Sequence, residues 1–313
     1  MSVLDVSILE KLGKLTREIR KEVSTMPKVG MDITEIIDFI EKKIFSHGYL
    51  PSFPAMVSVN DMAAHYTVYD KGYVLQKGDV IKIDFGISQD GFMTDNAFTV
   101  EIETNKHEKL IQTAKDCLDA AMDVVNVGVS MNDIGEAVNN TAKKNGFNTI
   151  HNLSGHQIGQ YELHFGLSVP NFANGDKQEV PKNSQFAIEP FVTYGEPKIK
   201  GTRLSNIVHL KGDRPVRDPI AKKLLMHIRE NFPKQPFSKR WLVQDVIDKN
   251  LEGTPNFKGF DLRKVNYGIS ILKREGIIYE YDELGTIDGE IVAQFEDCVI
   301  FNDDQKTIIT RLR

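Results

Sequence analysis

Apolar residues recur at helical spacing near the start of the chain, where Ile8, Leu12, Leu15, Ile19 and Val23 form one stripe within residues 5–25. A second stripe runs through Ile36, Phe39, Ile40 and Ile44. It is introduced by Val29-Gly30 and a capping-box candidate, Asp32 with Glu35, and it stops at Gly48-Tyr49. The same signals return later in the chain. A helical stretch over 106–126 leads to Val127-Gly128, then to Ser130 as N-cap, Ile134 and Val138 on the inner face, and a stop at Gly146-Phe147. From valine to stopping glycine the interval is 19 residues in both segments. The strands that follow correspond as well, because Lys77 precedes Asp84 by seven residues in KGDVIKID and Lys182 precedes Glu189 by seven in KNSQFAIE. A repeat of about one hundred residues is too long for a solenoid. It predicts a duplicated half-domain, with Asp84 and Glu189 at equivalent places about a pseudo-twofold axis.

Strand-like patterning adds chemistry to this frame. VIKIDFGI and FMTDNAFTV are joined across Gln89-Asp90-Gly91, and Asp-Gly is a strong hairpin signal. Pairing Asp84 with Asp95, or shifting the register by two, leaves both carboxylates on one sheet face within about 8 Å, where they repel unless a cation lies between them. This pair alone is equally compatible with an edge aspartate facing solvent. However, Asp84, Asp95, His156, Glu189 and Glu296 each lie in or beside a short apolar run, and burying an unpaired carboxylate is costly. Four carboxylates and a neutral imidazole balance two divalent cations, so the pattern predicts a two-metal hydrolase. Such a donor set suits Co²⁺, Mn²⁺, Fe²⁺ or Zn²⁺ without choosing among them.

Composition narrows the classes. The chain has 313 residues, 41% hydrophobic and 27% charged, which is the balance of an ordinary globular protein. A net charge of -5 argues against nucleic acid as the partner of the whole surface. Cys117 and Cys298 make no disulfide framework and point to a reducing compartment; with no apolar run near the roughly 20 residues of a membrane span, a cytoplasmic protein without membrane contact is expected. Asp84-Phe85-Gly86 spells a kinase tripeptide, but neither an HRD-type segment nor a glycine-rich phosphate loop accompanies it. An HExxH motif is absent, which excludes the helix-borne zinc peptidases. His156 and His164 share the glycine-punctuated stretch NLSGHQIGQYELHFGLSVP, and His65 follows Ala63-Ala64. A structural or exposed role is expected for His47, His107, His151, His209 and His227.

AAHYT at 63–67, KIDFG with Asp95 eleven residues after Asp84, NLSGHQIG, ELHFG, AIEPF and AQFE, taken in order, resemble the methionine aminopeptidases, specifically the type II branch in its short archaeal form. The resemblance implies an α+β pseudo-twofold pita-bread (creatinase/aminopeptidase) fold with a dinuclear metal centre. It also implies roles: Asp84 on one metal, His156 and Glu189 on the other, Asp95 and Glu296 bridging, and Glu189 as general base. His65 and His164 are implied to face the substrate as hydrogen-bond donors to the carbonyl or the developing oxyanion, and Phe53 and Tyr281 to wall a methionine pocket. The implied substrates are the N-termini of nascent polypeptides with a small second residue; ribosome association is left open, and a monomer is expected. After Tyr281 the family is usually proline-rich, whereas this chain reads Asp282-Glu283-Leu284.

Between Glu189 and Glu296 an extra segment, 213–280, carries helical patterns near 217–231, 239–249 and 260–275 and then the strand-like Gly276-Ile277-Ile278-Tyr279. It resembles a winged-helix-like insertion of the type II enzymes, leaving 1–212 and 281–313 as the catalytic domain. With 14 Lys plus Arg against 9 Asp plus Glu it is basic, but the charges are spread over several helices, which favours a rim-shaping insert over a nucleic-acid surface. Two rival functions are weighed. Proline-specific peptidases of the same fold use the same five ligand types but carry an extra N-terminal domain, for which there is no room before residue 65. Pseudo-peptidase adaptors that bind nucleic acid or ribosomes have lost metal ligands, whereas all five are present here.

Overall fold

The computed structural model describes residues 4–212, 214–242 and 261–312. The first apolar stripe forms the helix Val6–Val23, whose N-cap Asp5 accepts the Ile8 N–H at 3.0 Å. The second forms Ile33–Ser46, with the Asp32–Glu35 capping box in place. Its Ile33, Ile36, Ile37, Ile40 and Ile44 are fully enclosed, each contributing about 1.5–3 kcal/mol relative to an exposed side chain. In the second half Glu108–Val124 and Met131–Asn145 take the same places, the latter capped by Ser130 and ended by Gly146 in the left-handed region. The first helix pair shares its apolar core with strands of both halves, Ala187 and Ile300 among them, and the second packs with the strands of its own half.

The duplication extends to single hydrogen bonds. Gly30 and Gly128, both at φ 82°, donate to the carbonyls of Leu75 and Val180 at 2.9 Å; Leu75 and Val180 donate back to Met31 and Val129, again at 2.9 Å. Beyond these contacts the Val80–Phe85 strand lies between Met56–Val59 and Asn96–Glu101. In the other half Ser184–Ile188 lies between Ser154–Ile158 and Asp297–Asn302. An antiparallel bridge joins the two sheets, the Glu296 N–H donating to the Ala97 carbonyl at 2.9 Å.

The hairpin turns through Asp90 (φ 53°) and Gly91 (φ 81°), the two left-handed residues a type I′ turn requires. Its register places Asp84 opposite Ala97, so Asp95 is the diagonal neighbour. The long strands predicted on either side are nonetheless broken. At Gly86 an added Cβ would lie 2.0 Å from the Thr94 carbonyl oxygen, and beyond this close approach Ile87–Gln89 leaves the sheet to pair with Leu50–Pro51 and Phe92–Met93. Asp95 sits in the break.

The extra segment contributes the helices Pro219–Asn231 and Leu262–Arg274, close to two of the predicted patterns. Of 239–249, residues Lys239–Leu242 form a 3₁₀ turn and the remainder lies outside the described residues. Its core includes Val208 and Ile278, and its short strand Phe237–Ser238 pairs with Ile199–Leu210. That strand also pairs with Ile278–Thr286, which continues onto Met62–Ala64, so the segment is joined to its surroundings through one sheet. No helix among the described residues is long and apolar enough to cross a membrane.

Candidate metal centre and substrate cavity

A cavity of about 250 Å³ opens where the two central sheets meet. All nine predicted site residues line it: Phe53, His65, Asp84, Asp95, His156, His164, Glu189, Tyr281 and Glu296. The tightest group is Asp95, His156 and Glu296, whose ligand atoms lie within 4.8 Å of one another; His156 Nε2 is 3.4 Å from Asp95 Oδ2. Asp84 and Glu189 border this group from the equivalent strands, Asp84 from within Val80–Phe85 and Glu189 just past Ser184–Ile188.

Two adjacent residues show why the site fits cations. Glu296 and Asp297 are each 1% exposed. Asp297 pairs with Arg20 at 2.7 Å and Arg311 at 2.9 Å, a compensated buried charge. Glu296 has no cationic partner among the described residues and faces Asp95, Glu189 and Asp84 instead. Burial, followed by repulsion from those three, holds its pKa well above the carboxylate range. Burial and then Asp95 do the same to Asp84; burial, then Asp95 and Asp84, to Glu189. Asp95 is raised by burial, partly offset by hydrogen bonding to His156. Asp84 Oδ1 is enclosed without a hydrogen-bond partner. Carboxylates crowded together with unused ligand atoms are a donor set that lacks positive charge, and divalent cations fit it.

Gln294, on the same strand face two residues before Glu296, is a site residue that sequence reasoning missed. Its Nε2 donates to Glu189 Oε2 at 3.3 Å and to Glu296 Oε2 at 3.5 Å, orienting both. The period-two spacing within AQFE was the available signal. Two further supports had no signal of this kind. The Asp95 N–H donates to Cys298 Sγ at 3.1 Å, and Asn171 Nδ2 donates to the Glu189 carbonyl at 3.2 Å.

His65 and His164 are both held neutral by burial, in different settings. His65 adopts φ 64°, a left-handed conformation uncommon outside glycine and a form of strain found at functional sites. Its Nδ1 lies 3.0 Å from the Asp282 carbonyl oxygen, which can only accept, so Nδ1 carries the proton. Burial lowers its pKa, so the ring is neutral and Nε2 is an acceptor. With Nδ1 directed at that carbonyl, Nε2 is the ring atom left to meet a ligand. His164 is lowered to about 3 by burial and then by His156, His65 and His209, and stays neutral. Its ring meets His156 edge-on with centroids 4.4 Å apart. At the apolar end Phe53, Met56 and Ile207 pack with Leu163 and Tyr281, and the Tyr281 ring stands edge-on to His65 at 5.2 Å.

Residues 7–211, about two thirds of the chain, match Metallopeptidase family M24. The chain belongs to that family. It is 36% identical over 304 residues to a methionine aminopeptidase of Thermococcus kodakarensis, covering 96% of this chain and 98% of the relative. Among solved structures, methionine aminopeptidase from Thermotoga maritima superposes with TM-score 0.68 at 18% identity over 100% of both chains. A thermophilic Arx1 superposes with TM-score 0.79 at 17% identity, over 98% of this chain and 91% of that one. At such identities the structural likeness establishes the fold alone, and it is the two-half pita-bread architecture. As an M24 member the protein is a metal-dependent hydrolase.

Proposed function

We propose that this chain is a methionine aminopeptidase that removes the N-terminal methionine from nascent polypeptides whose second residue is small. The observation that carries the reading is the meeting of three buried carboxylates, a half-buried fourth (Glu189) and one imidazole, without cationic partners, at the head of a cavity whose other end is lined by apolar side chains. Asp84, Asp95, His156, Glu189 and Glu296 would hold two divalent cations. The chemistry such cations supply when bound is polarisation of a carbonyl and acidification of water.

The protein's own groups do the rest. Glu189 takes a proton from water as the C–O bond forms and delivers it to the leaving nitrogen as the C–N bond breaks. Gln294 keeps that carboxylate oriented. His164, neutral across the working range, donates to the carbonyl oxygen, where charge develops. His65 Nε2 accepts from the scissile N–H, which fixes the peptide plane. Phe53, Met56 and Tyr281 enclose an unbranched thioether, for which sulfur–aromatic contact is favourable. With the α-amine held at the Asp84 end, the register of the second residue is set and size there is filtered. Segment 213–280 acts as an inserted unit whose Pro236 closes one wall of the cavity.

Metal analysis combined with peptide hydrolysis tests the reading. Met-Ala-Ser is expected to be cleaved by a protein holding two divalent ions, and Met-Lys-Ser to resist. Equal kcat/KM for the two, or faster hydrolysis of Ala-Pro peptides, would instead favour a proline-peptidase function.

A further inference from the structure

The first cavity is small. At about 250 Å³ it falls below the roughly 300–1,000 Å³ of ordinary ligand sites, and its apolar end is sealed by Phe53, Met56 and Ile207, each 4–6% exposed. It has room for the N-terminal residue and the reacting carbonyl, so a polypeptide must continue elsewhere. Beside it lies a second cavity of about 470 Å³, which shares Leu163, His164, Pro236 and Tyr281 with the first. Its other walls include Tyr161, Glu162, His209 and Lys234. The shared wall runs from His164, the group assigned to the reacting carbonyl, to Tyr281, so chain leaving the first volume past His164 enters the second.

Two features mark this cavity as built for a ligand. Tyr161 sits at φ 64°, which a bulky residue rarely adopts, and is held there by two bonds to the hairpin tip: its own N–H to the Gly91 carbonyl at 2.8 Å and Gln160 Nε2 to the Asp90 carbonyl at 2.9 Å. The ring covers Gly91 so closely that a Cβ there would lie 2.5 Å from it, yet the side chain remains 43% exposed. Lys234 Nζ lies 4.8 Å from the centre of that ring, a cation–π contact between segment 213–280 and the turn that packs on the first hairpin.

We propose that this second cavity is the subsite for the third and fourth residues of the polypeptide substrate, with Tyr161 as an apolar wall and Lys234 as a polar contact. The assignment rests on the aminopeptidase reading above. Glu162 and Lys234 offset each other in charge, so the subsite takes extended chain with uncharged side chains, each residue advancing about 3.3–3.6 Å.

The test compares kcat/KM for Met-Ala, Met-Ala-Ser and Met-Ala-Ser-Gly in the metal-loaded wild type, Tyr161→Ala and Lys234→Ala. Because binding of remote substrate parts is expressed in turnover as well as in KM, the wild-type tetrapeptide-to-dipeptide ratio should be on the order of tenfold. Both variants should reduce that ratio at wild-type metal content. Lys234→Ala leaves the Tyr161–Gly91 packing intact and so guards against a misfolded hairpin. The product-like peptide Ala-Ser-Gly should also inhibit the wild type more strongly than either variant. A wild-type ratio near one, or a ratio unchanged in both variants, overturns the subsite while leaving the aminopeptidase reading intact. If the wild type cleaves none of the three peptides, both readings fail.

Discussion

Gly86→Ala, a change of one methyl group, should disable the site without touching any proposed ligand. A Cβ on residue 86 would stand 2.0 Å from the Thr94 carbonyl oxygen and 2.8 Å from Ser52 Oγ. The serine can rotate away, at the loss of its bond to that same carbonyl, 2.9 Å in the native chain. The carbonyl has to retreat by about 1 Å or more to reach an ordinary contact, and it is bonded directly to the Asp95 nitrogen. Retreat therefore moves Asp95 relative to Cys298, His156 and Glu296, and it pulls on the Thr94 N–H to Ile87 bond of 2.9 Å. Overpacking of this kind costs about 1–3 kcal/mol. A misplacement near 1 Å in a positioned site costs on the order of 10²-fold in rate. The assay is metal stoichiometry and kcat/KM on Met-Ala-Ser, with thermal unfolding as the measure of fold. Gly212→Ala is the control, since its Cβ would meet the Gly276 carbonyl oxygen at an ordinary 3.5 Å. A folded Gly86→Ala protein with wild-type metal content and rate would refute the claim that the break in the hairpin positions Asp95.

Other predictions follow from the same geometry. Glu189→Gln should fold with a near-native unfolding temperature yet lose most turnover, because an amide can neither accept the proton nor balance cationic charge; wild-type kcat in a metal-loaded variant would place the base elsewhere. His164→Ala should lower kcat/KM by on the order of 10²–10³ while metal content stays near wild type, the loss expected for one preorganised donor; loss of a stoichiometric ion would make His164 a ligand. In metal-stripped protein, Asp84, Glu189 and Glu296 have raised pKa values, so the fold holds protons that the unfolded chain has released. Their stabilising contribution is present below the ordinary carboxylate range and is lost as pH rises through the raised values. The unfolding-temperature gap between loaded and stripped protein should thus be wider at pH 7.5 than at pH 5, and an equal gap at both would show that these carboxylates are not the groups being relieved.

What could be read from the sequence depended on how far each signal reaches along the chain. The Asp32–Glu35 box, the Ser130 cap and the Asp90-Gly91 turn are settled by residues within a few positions of one another, and each appears where the pattern placed it. The duplicated spacing carried further. Because Lys77–Asp84 and Lys182–Glu189 repeat the same interval, two carboxylates on distant strands could be placed about one axis before any pairing was known. The broken hairpin was not legible, since alternation alone favours a continuous strand and the cause is the approach of Thr94 to Gly86. The proton position on His65 was not legible either. It depends on the carbonyl of Asp282, 217 residues away, and backbone carbonyls carry no sequence identity.

The pair Glu296 and Asp297 shows where a sequence reading of charge stops. Both are acidic, both lie in one apolar run, and both are equally enclosed, so burial cost alone assigns them the same need for a partner. Period-two alternation separates them by face, and the faces lead to opposite environments: Asp297 meets Arg20 from the first helix and Arg311 from the last residues, while Glu296 meets three further carboxylates. The need is met within the chain for one and left unmet for the other. An unmet need, repeated for Asp84 and Glu189, marks a place where a fold holds stability in reserve for a bound ion. The ion's affinity and the carboxylates' mutual repulsion are then linked, so removing one carboxylate should weaken ion binding and at the same time stabilise the stripped protein. Asp84→Asn tests this in one preparation: its stripped form should unfold at a higher temperature than stripped wild type at pH 7.5, and its loaded form at a lower one. Destabilisation of both forms would mean that Asp84 serves packing rather than charge.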